Sequence, residues 1–240
     1  MTLGVLGGTF DPIHTGHVAL ATAAREAFGL ETVLLVPSAV PPHRADPPQA
    51  SSHHRFAMVA LVAQLRPWLR ASDLEVASAL EGTSAAPSFT ATTLRRLGES
   101  GYRPSQLFFI TGADAFLEIA TWREYPAVLD LAHFVVVSRP GSSLDAVPGA
   151  LPDLAPRFRP ASDGPGTDAD RTPRVLLLAA KTPDISSTAV RARLAAGLPV
   201  DDLLPEAVAR HARRHHLYGD TGRRPSGRPD RRAPSLHSHE

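Results

Sequence analysis

The stretch Gly7-Gly8-Thr9-Phe10-Asp11-Pro12-Ile13-His14-Thr15-Gly16-His17 decides how this chain folds. The apolar run Leu3-Gly4-Val5-Leu6 before it predicts a buried strand, and the alanine-rich amphipathic run at 18–28 after it predicts a helix. The motif is therefore a strand-to-helix turn. Gly7 and Gly8 let a ligand approach bare backbone, Gly16 keeps the first helical turn open, and amides at a helix N-terminus carry partial positive charge. That combination suits an anion such as phosphate. His14 and His17 fall on one side of the first turn and reach the same bound group.

Outward from the turn, Thr32-Val33-Leu34-Leu35-Val36 predicts a second strand and completes a βαβ unit, which builds a parallel sheet with a right-handed crossover. A Pro-rich loop follows at 37–48. Helical periodicity resumes at 53–65 and stops near Pro67, and 74–76 reads as a short strand before a loop at 81–87. A helix at 90–97 leads to Leu107-Phe108-Phe109-Ile110, the clearest buried strand, which runs straight into Thr111-Gly112-Ala113-Asp114-Ala115-Phe116. A helix at 126–131 precedes the strand Phe134-Val135-Val136-Val137, closed by Ser138-Arg139-Pro140-Gly141. Residues 142–173 read as a long surface excursion with one short helix near Leu151; 175–179 returns as a strand. Pro183-Asp184-Ile185-Ser186-Ser187-Thr188-Ala189-Val190-Arg191 opens a helix to about 196, and a last helix follows Pro205 to about 216.

The expected fold is α/β: a Rossmann-like, mostly parallel sheet flanked by helices, with a small helical C-terminal part at 184–218. The whole domain spans 1–218, and 219–240, almost free of apolar residues, is expected to be a disordered tail. Every informative loop lies at a strand's C-terminal end, the ligand edge of such sheets. Gly-x-Gly-x-x-Gly is absent after the first strand, and no Gly-Lys-Ser/Thr appears anywhere.

The chain has 240 residues, 43% hydrophobic and 20% charged, as expected of a globular domain. With 25 basic against 24 acidic side chains the formal charge is +1, so no global field argues for nucleic acid or a membrane surface. The absence of cysteine excludes disulfides, thiolate metal sites and a cysteine nucleophile. No leader-like N-terminus and no run of about 18 apolar residues is present, so a soluble, cytoplasmic protein is expected. The oligomeric state stays open, a homo-oligomer included.

Gly7 to His17 resembles the signature of the nucleotidyltransferase superfamily, whose members carry His-x-Gly-His at the start of the first helix. Ile185-Ser186-Ser187-Thr188-Ala189-Val190-Arg191 matches the Ile-Ser-Ser-Thr-x-x-Arg form of its second motif. Between them Pro41-Pro42-His43-Arg44, Gly112-Ala113-Asp114-Ala115, Thr121-Trp122 and Ser138-Arg139-Pro140-Gly141 are similar to the pattern of bacterial nicotinate-nucleotide adenylyltransferases. The resemblance covers roughly residues 3 to 218. It implies adenylyl transfer from ATP to nicotinate mononucleotide, forming deamido-NAD and pyrophosphate. Other acceptors stay open beside it: nicotinamide mononucleotide, phosphopantetheine or a cytidylyl acceptor, as does a nucleotide-binding module without turnover. A tRNA synthetase fragment would want a lysine-rich second motif, and Lys181 is the only lysine.

The chemistry needs little acid or base. A phosphate nucleophile is already ionised, so catalysis reduces to positioning and charge stabilisation. On the resemblance, His14, His17 and Arg191 are the catalytic candidates. Gly7, Gly8, Thr9, Phe10, His17, Gly112, Asp114, Arg139, Ile185, Ser187, Thr188 and Arg191 are expected to bind ATP. Thr9, His43, Arg44, Thr90, Trp122 and Arg123 are expected at the mononucleotide, Trp122 by stacking on the pyridine ring. Asp114 reads equally as a helix cap. Mg²⁺ is expected to arrive with ATP, since no acidic cluster resembles a metal cage. The chain departs from the family's Tyr-Thr-x-Asp-Thr-Leu, reading Phe89-Thr90-Ala91-Thr92-Thr93-Leu94, which removes a hydroxyl and a carboxylate from the recognition of the ring acid. His53-His54, His211, His215-His216, His237 and His239 have no acidic or cysteine partner at ligand spacing and read as incidental; no protein-held metal is expected.

Overall fold

Leu, Val and Phe alternate sides along the central strands, so each strand feeds two cores at once. Leu3 and Val5, Leu107 and Phe109, and Phe134 and Val136 point into one buried cluster. Leu6, Phe108 and Ile110, and Val135 and Val137 point into the other. A computed structural model describes residues 1–41, 46–77, 87–138, 144, 146–164 and 172–219. Its sheet has seven strands: β1 (Leu3–Gly8), β2 (Thr32–Pro37), β3 (Leu69–Ala71), β4 (Leu107–Gly112), β5 (His133–Val137), β6 (Phe158–Pro160) and β7 (Val175–Leu178). All six pairings are parallel, in the order β3-β2-β1-β4-β5-β7-β6. The order reverses between β1 and β4, which places the loops after these two strands on either side of one crevice.

The helices are α1 (Thr15–Phe28), α2 (Ser52–Ala63), α3 (Thr90–Glu99), α4 (Ala113–Leu117), α5 (Ala146–Ala150), α6 (Ser187–Ala195) and α7 (Glu206–Arg214). α1 buries Val18, Leu20, Ala21 and Ala24, and Gly29 ends it in the left-handed region (φ 59°), with its amide bonded to the Arg25 carbonyl. α3 buries Ala91, Leu94 and Leu97 at helical spacing against the opposite core. No helix among the described residues is long and apolar enough to cross a membrane.

Three expectations change. The strand after α2 is Leu69–Ala71, just beyond Pro67; residues 74–76 make a turn that enters a helix. Residues 126–131 form a 3₁₀ turn, Ala127–Asp130, too short to be a helix of its own. The excursion at 142–173 contributes a strand: β6 pairs with β7, Phe158 opposite Val175 and Pro160 opposite Leu177. Proline within a three-residue edge strand is tolerated there and masks the strand pattern in the sequence. The expected loop at 81–87 falls, save Pro87, outside the described residues, and so does the tail from Asp220.

Candidate active site

The β1–α1 turn has unusual backbone. Phe10 adopts φ 49°, left-handed for a bulky residue, and Asp11–Pro12 is cis. Phe10 is held there by its fully buried ring, which meets the His17 ring edge-on at 5.0 Å. A Cβ on Gly8 would lie 3.0 Å from that ring, so glycine at 8 answers to Phe10 packing. His14 precedes α1, buried, and a Cβ on Gly16 would come within 3.0 Å of its Nδ1. The glycine in His-x-Gly-His is thus the space in which the first imidazole lies. The two imidazoles are 3.7 Å apart between centroids.

The His14 amide donates to His17 Nδ1 at 3.2 Å. A neutral imidazole with Nδ1 accepting carries its proton on Nε2, so His17 presents a donor away from the backbone.

The second motif docks onto this turn. Ser186 caps α6, its hydroxyl accepting from the Ala189 amide at 3.1 Å. Ser187 Oγ donates to the Pro12 carbonyl at 3.0 Å, and Arg191 Nη1 donates to the Asp11 carbonyl at 2.8 Å. Arg191 Nη2 donates to Thr188 Oγ1 at 3.2 Å. Among the described residues these bonds use two of its five N–H groups.

Asp11 is the knot of the turn. Its buried carboxylate accepts from the amides of Gln49 (2.9 Å) and Ala50 (3.0 Å) and from the Tyr218 hydroxyl (2.8 Å), with Arg191 Nη1 at 3.8 Å. Burial first, then the Asp11 charge, pushes the Tyr218 phenol far above its ordinary value, so it stays a donor. Arg55, buried in α2, gathers four carbonyls: Thr9 (2.7 Å), Ser38 (2.6 Å), Ala39 (3.1 Å) and Ala50 (3.2 Å). It thereby fixes the loop after β1 against the loop after β2.

Beside the turn a cleft of about 390 Å³ opens, lined by Gly7, Gly8, Thr9, Thr90, Phe109 and Trp122, among others. Trp122 is half-buried, edge-on to Phe109 at 5.9 Å, so it packs on the core while also lining the cleft. Arg123 places its guanidinium 4.6 Å over the Phe89 ring, giving the aromatic that replaces the family tyrosine a cation–π partner. Glu75 lines the cleft too. It accepts from Thr93 Oγ1 at 2.5 Å and from Ser88, and burial pushes its carboxyl above the ordinary carboxylate range. A larger groove of about 620 Å³ along the outer side of α1 contains neither motif histidine.

The cytidylyltransferase-like family model matches residues 5–193. A protein of Desulfatibacillum aliphaticivorans named "Probable nicotinate-nucleotide adenylyltransferase" is 37% identical over 226 residues, covering 91% of this chain and 100% of the relative. One of the same name from Roseiflexus sp. (strain RS-1) is 38% identical over 216 residues, covering 90% and 97%. This chain belongs to the nicotinate-nucleotide adenylyltransferase family. The fold agrees: the Plasmodium falciparum nicotinic acid mononucleotide adenylyltransferase complexed with NaAD superposes with a TM-score of 0.61 at 16% identity, covering 90% of this chain and 97% of that one.

Of the residues this family resemblance singles out, Gly7 to His17 and Ile185 to Arg191 meet at one turn, 168 to 184 residues apart in sequence notwithstanding.

Thr90 and Trp122 line the adjoining cleft with Thr9. Gly112 ends β4 and caps α4, which leaves Asp114 exposed in the first turn of that helix; Asp114 is not its cap. Ile185 packs against the core below the turn, which makes its side chain a support. His43, Arg44 and Arg139 lie outside the described residues. Sequence reading passed over Arg55, Glu75 and Tyr218. The signal for Arg55 was an arginine among the apolar positions 55, 58, 59 and 62 of α2, where a buried charge demands partners. The histidines taken as incidental also divide: among the described residues, His54, His211 and His215 come together as one cluster.

Proposed function

We propose that this chain transfers the adenylyl group of ATP to nicotinate mononucleotide, releasing pyrophosphate and deamido-NAD. The observation that carries the reading is the docking of the second motif on the first through Ser187–Pro12 and Arg191–Asp11, beside a cleft with Trp122 at its wall. The names of the relatives support the pyridine mononucleotide as acceptor.

In the proposed step an ionised phosphate oxygen of the mononucleotide attacks the α-phosphorus of ATP. The new P–O bond forms as the bond to the bridging α–β oxygen breaks, and pyrophosphate takes that electron pair. No proton has to be removed from the nucleophile. Charge on the non-bridging oxygens meets His17 Nε2–H, while His14 and the Thr9 hydroxyl complete the α-phosphate end. Thr188, Arg191 and the backbone amides at the start of α6, that of Ser187 included, hold the leaving pyrophosphate. The pyridine ring sits against Trp122, with Thr90 nearby.

Mg²⁺ enters as part of the substrate, Mg·ATP. The Asp11 carboxylate at the turn is taken up by Gln49, Ala50, Tyr218 and Arg191, so the triphosphate supplies most of the ion's ligands. A reaction that consumes ATP fits the cytoplasm, where ATP is supplied.

The deciding experiment measures pyrophosphate release from ATP with the acid and the amide mononucleotides in parallel. A higher kcat/KM for nicotinate mononucleotide is expected; a clear preference for the amide overturns the choice of substrate.

A further inference from the structure

α2 and α7 are packed together, and their contact holds an unusual group of side chains. His54 stands in the first turn of α2, where its amide donates to the capping Ser51 hydroxyl at 3.3 Å. His211 stands on α7 and His215 one turn later, at the residue that caps its C-terminal end. His54 Nδ1 lies 3.1 Å from His211 Nε2, and one ring nitrogen from each of the three residues lies within 4.8 Å of the others. The ring centroids are 5.3 Å (54–211), 4.8 Å (54–215) and 4.5 Å (211–215) apart.

Three imidazoles this close are costly if charged and useful if neutral. Nitrogens bound tetrahedrally to Zn²⁺ at about 2.0–2.1 Å stand about 3.3 Å from each other. The His54–His211 separation is already close to that, and a small rotation of the His215 side chain, which is exposed, closes the rest.

We propose that His54, His211 and His215 form a site for a borderline divalent transition metal such as Zn²⁺, three imidazoles supplying three ligands and water the fourth. The site is separate from Mg·ATP, because a hard ion that prefers oxygen has no use for three nitrogens. Its place in the fold gives it a role. His54 adjoins Arg55, which gathers the carbonyls of Thr9, Ser38, Ala39 and Ala50, and α7 leads directly to Tyr218, which holds Asp11. An ion joining α2 to α7 braces both supports of the β1–α1 turn at once and stabilises the fold by RT ln(1 + [Zn²⁺]/Kd).

The test uses the full chain, stripped of metal, titrated with Zn²⁺ by calorimetry and followed by thermal melting. The controls are His53→Ala, which removes the exposed neighbour, and Mg²⁺ in place of Zn²⁺. One tight equivalent of Zn²⁺ and a raised melting temperature are expected for the wild type and for His53→Ala, and neither effect with Mg²⁺. His215→Ala should weaken the tight equivalent by at least about tenfold, and His54→Ala/His211→Ala should abolish it. Should the double variant fail to fold, Co²⁺ in the wild type supplies the second reading, since tetrahedral coordination gives intense visible absorption that His215→Ala should diminish. Absence of saturable binding by the wild type, or Zn²⁺ binding and a Co²⁺ spectrum unchanged in His215→Ala, overturns the proposal. Because melting and calorimetry need neither substrate nor turnover, the outcome is independent of the proposed adenylyl transfer.

Discussion

His17 owes its chemistry to a backbone amide three residues before it. Donation from the His14 amide to Nδ1 leaves Nε2 as the protonated nitrogen, and a tautomer fixed in this way costs no reorganisation when phosphate charge develops. Gly16 keeps the neighbouring imidazole in place by leaving the space a Cβ would fill, and Phe10 holds the ring edge of His17 at 5.0 Å. Replacing His17 by Ala removes the donor that the proposed step sets against the α-phosphate, without touching the bonds that dock the second motif. The expected outcome is a fall in kcat of about 10²–10³ with a much smaller change in the ATP Kd. Steady-state pyrophosphate release and equilibrium nucleotide binding measure the two quantities; an unchanged kcat would remove His17 from the chemistry.

At the scale of elements, the turn is held by parts of the chain far from it: α2 through Arg55, α6 through Ser187 and Arg191, and the segment after α7 through Tyr218. The Tyr218 hydroxyl is a single bond in this lock, but its acceptor is a buried carboxylate. Tyr218→Phe keeps the ring in the core and removes only that bond, which for a hydrogen bond to a charged group costs about 1.5–3 kcal/mol. For a domain of this size that is a loss of roughly 3–12 °C in Tm. The phenol pKa is raised in the folded state above its ordinary 10.0, so the stabilisation is fully present below pH 10.0 and is lost only as pH rises through the folded value. Melting curves of both proteins from pH 7 to pH 9 should therefore keep the same gap. A gap that narrows steadily across this range contradicts a phenol held protonated by burial.

At the scale of the molecule, what could be read from sequence was what is repeated or periodic. Apolar runs such as Leu107-Phe108-Phe109-Ile110 announced parallel strands, and the two glycine turns placed the ligand edge. β6 was hidden because three residues ending in proline carry no period, and the supports Arg55, Glu75 and Tyr218 were hidden because each acts through a contact distant in sequence. His54 with His211, 157 residues apart, was hidden for the same reason.

That distribution also says how ligands should act on stability. The phosphate turn packs with α1, α2, α6 and α7 on one core, whereas Trp122 and α3 belong to the core on the other side of the sheet. On the proposed reading the substrates would lie across the crevice between β1 and β4 and touch elements from both cores, while the unfolded chain offers neither site. Binding to the folded state alone stabilises by RT ln(1 + [L]/Kd), about 2.7 kcal/mol at 100 times Kd, and for this size each kcal/mol is worth about 2–4 °C. Mg·ATP at that saturation should raise Tm by roughly 5–10 °C. Nicotinate mononucleotide, if it stacks on Trp122 as proposed, should add a further rise, measured with an ATP analogue whose α–β bridging oxygen is replaced by methylene so that no product forms. In Trp122→Ala the increment from the mononucleotide should shrink while that from the nucleotide remains. An equal loss of both increments would mean that Trp122 supports the fold of the crevice and does not contact the ring.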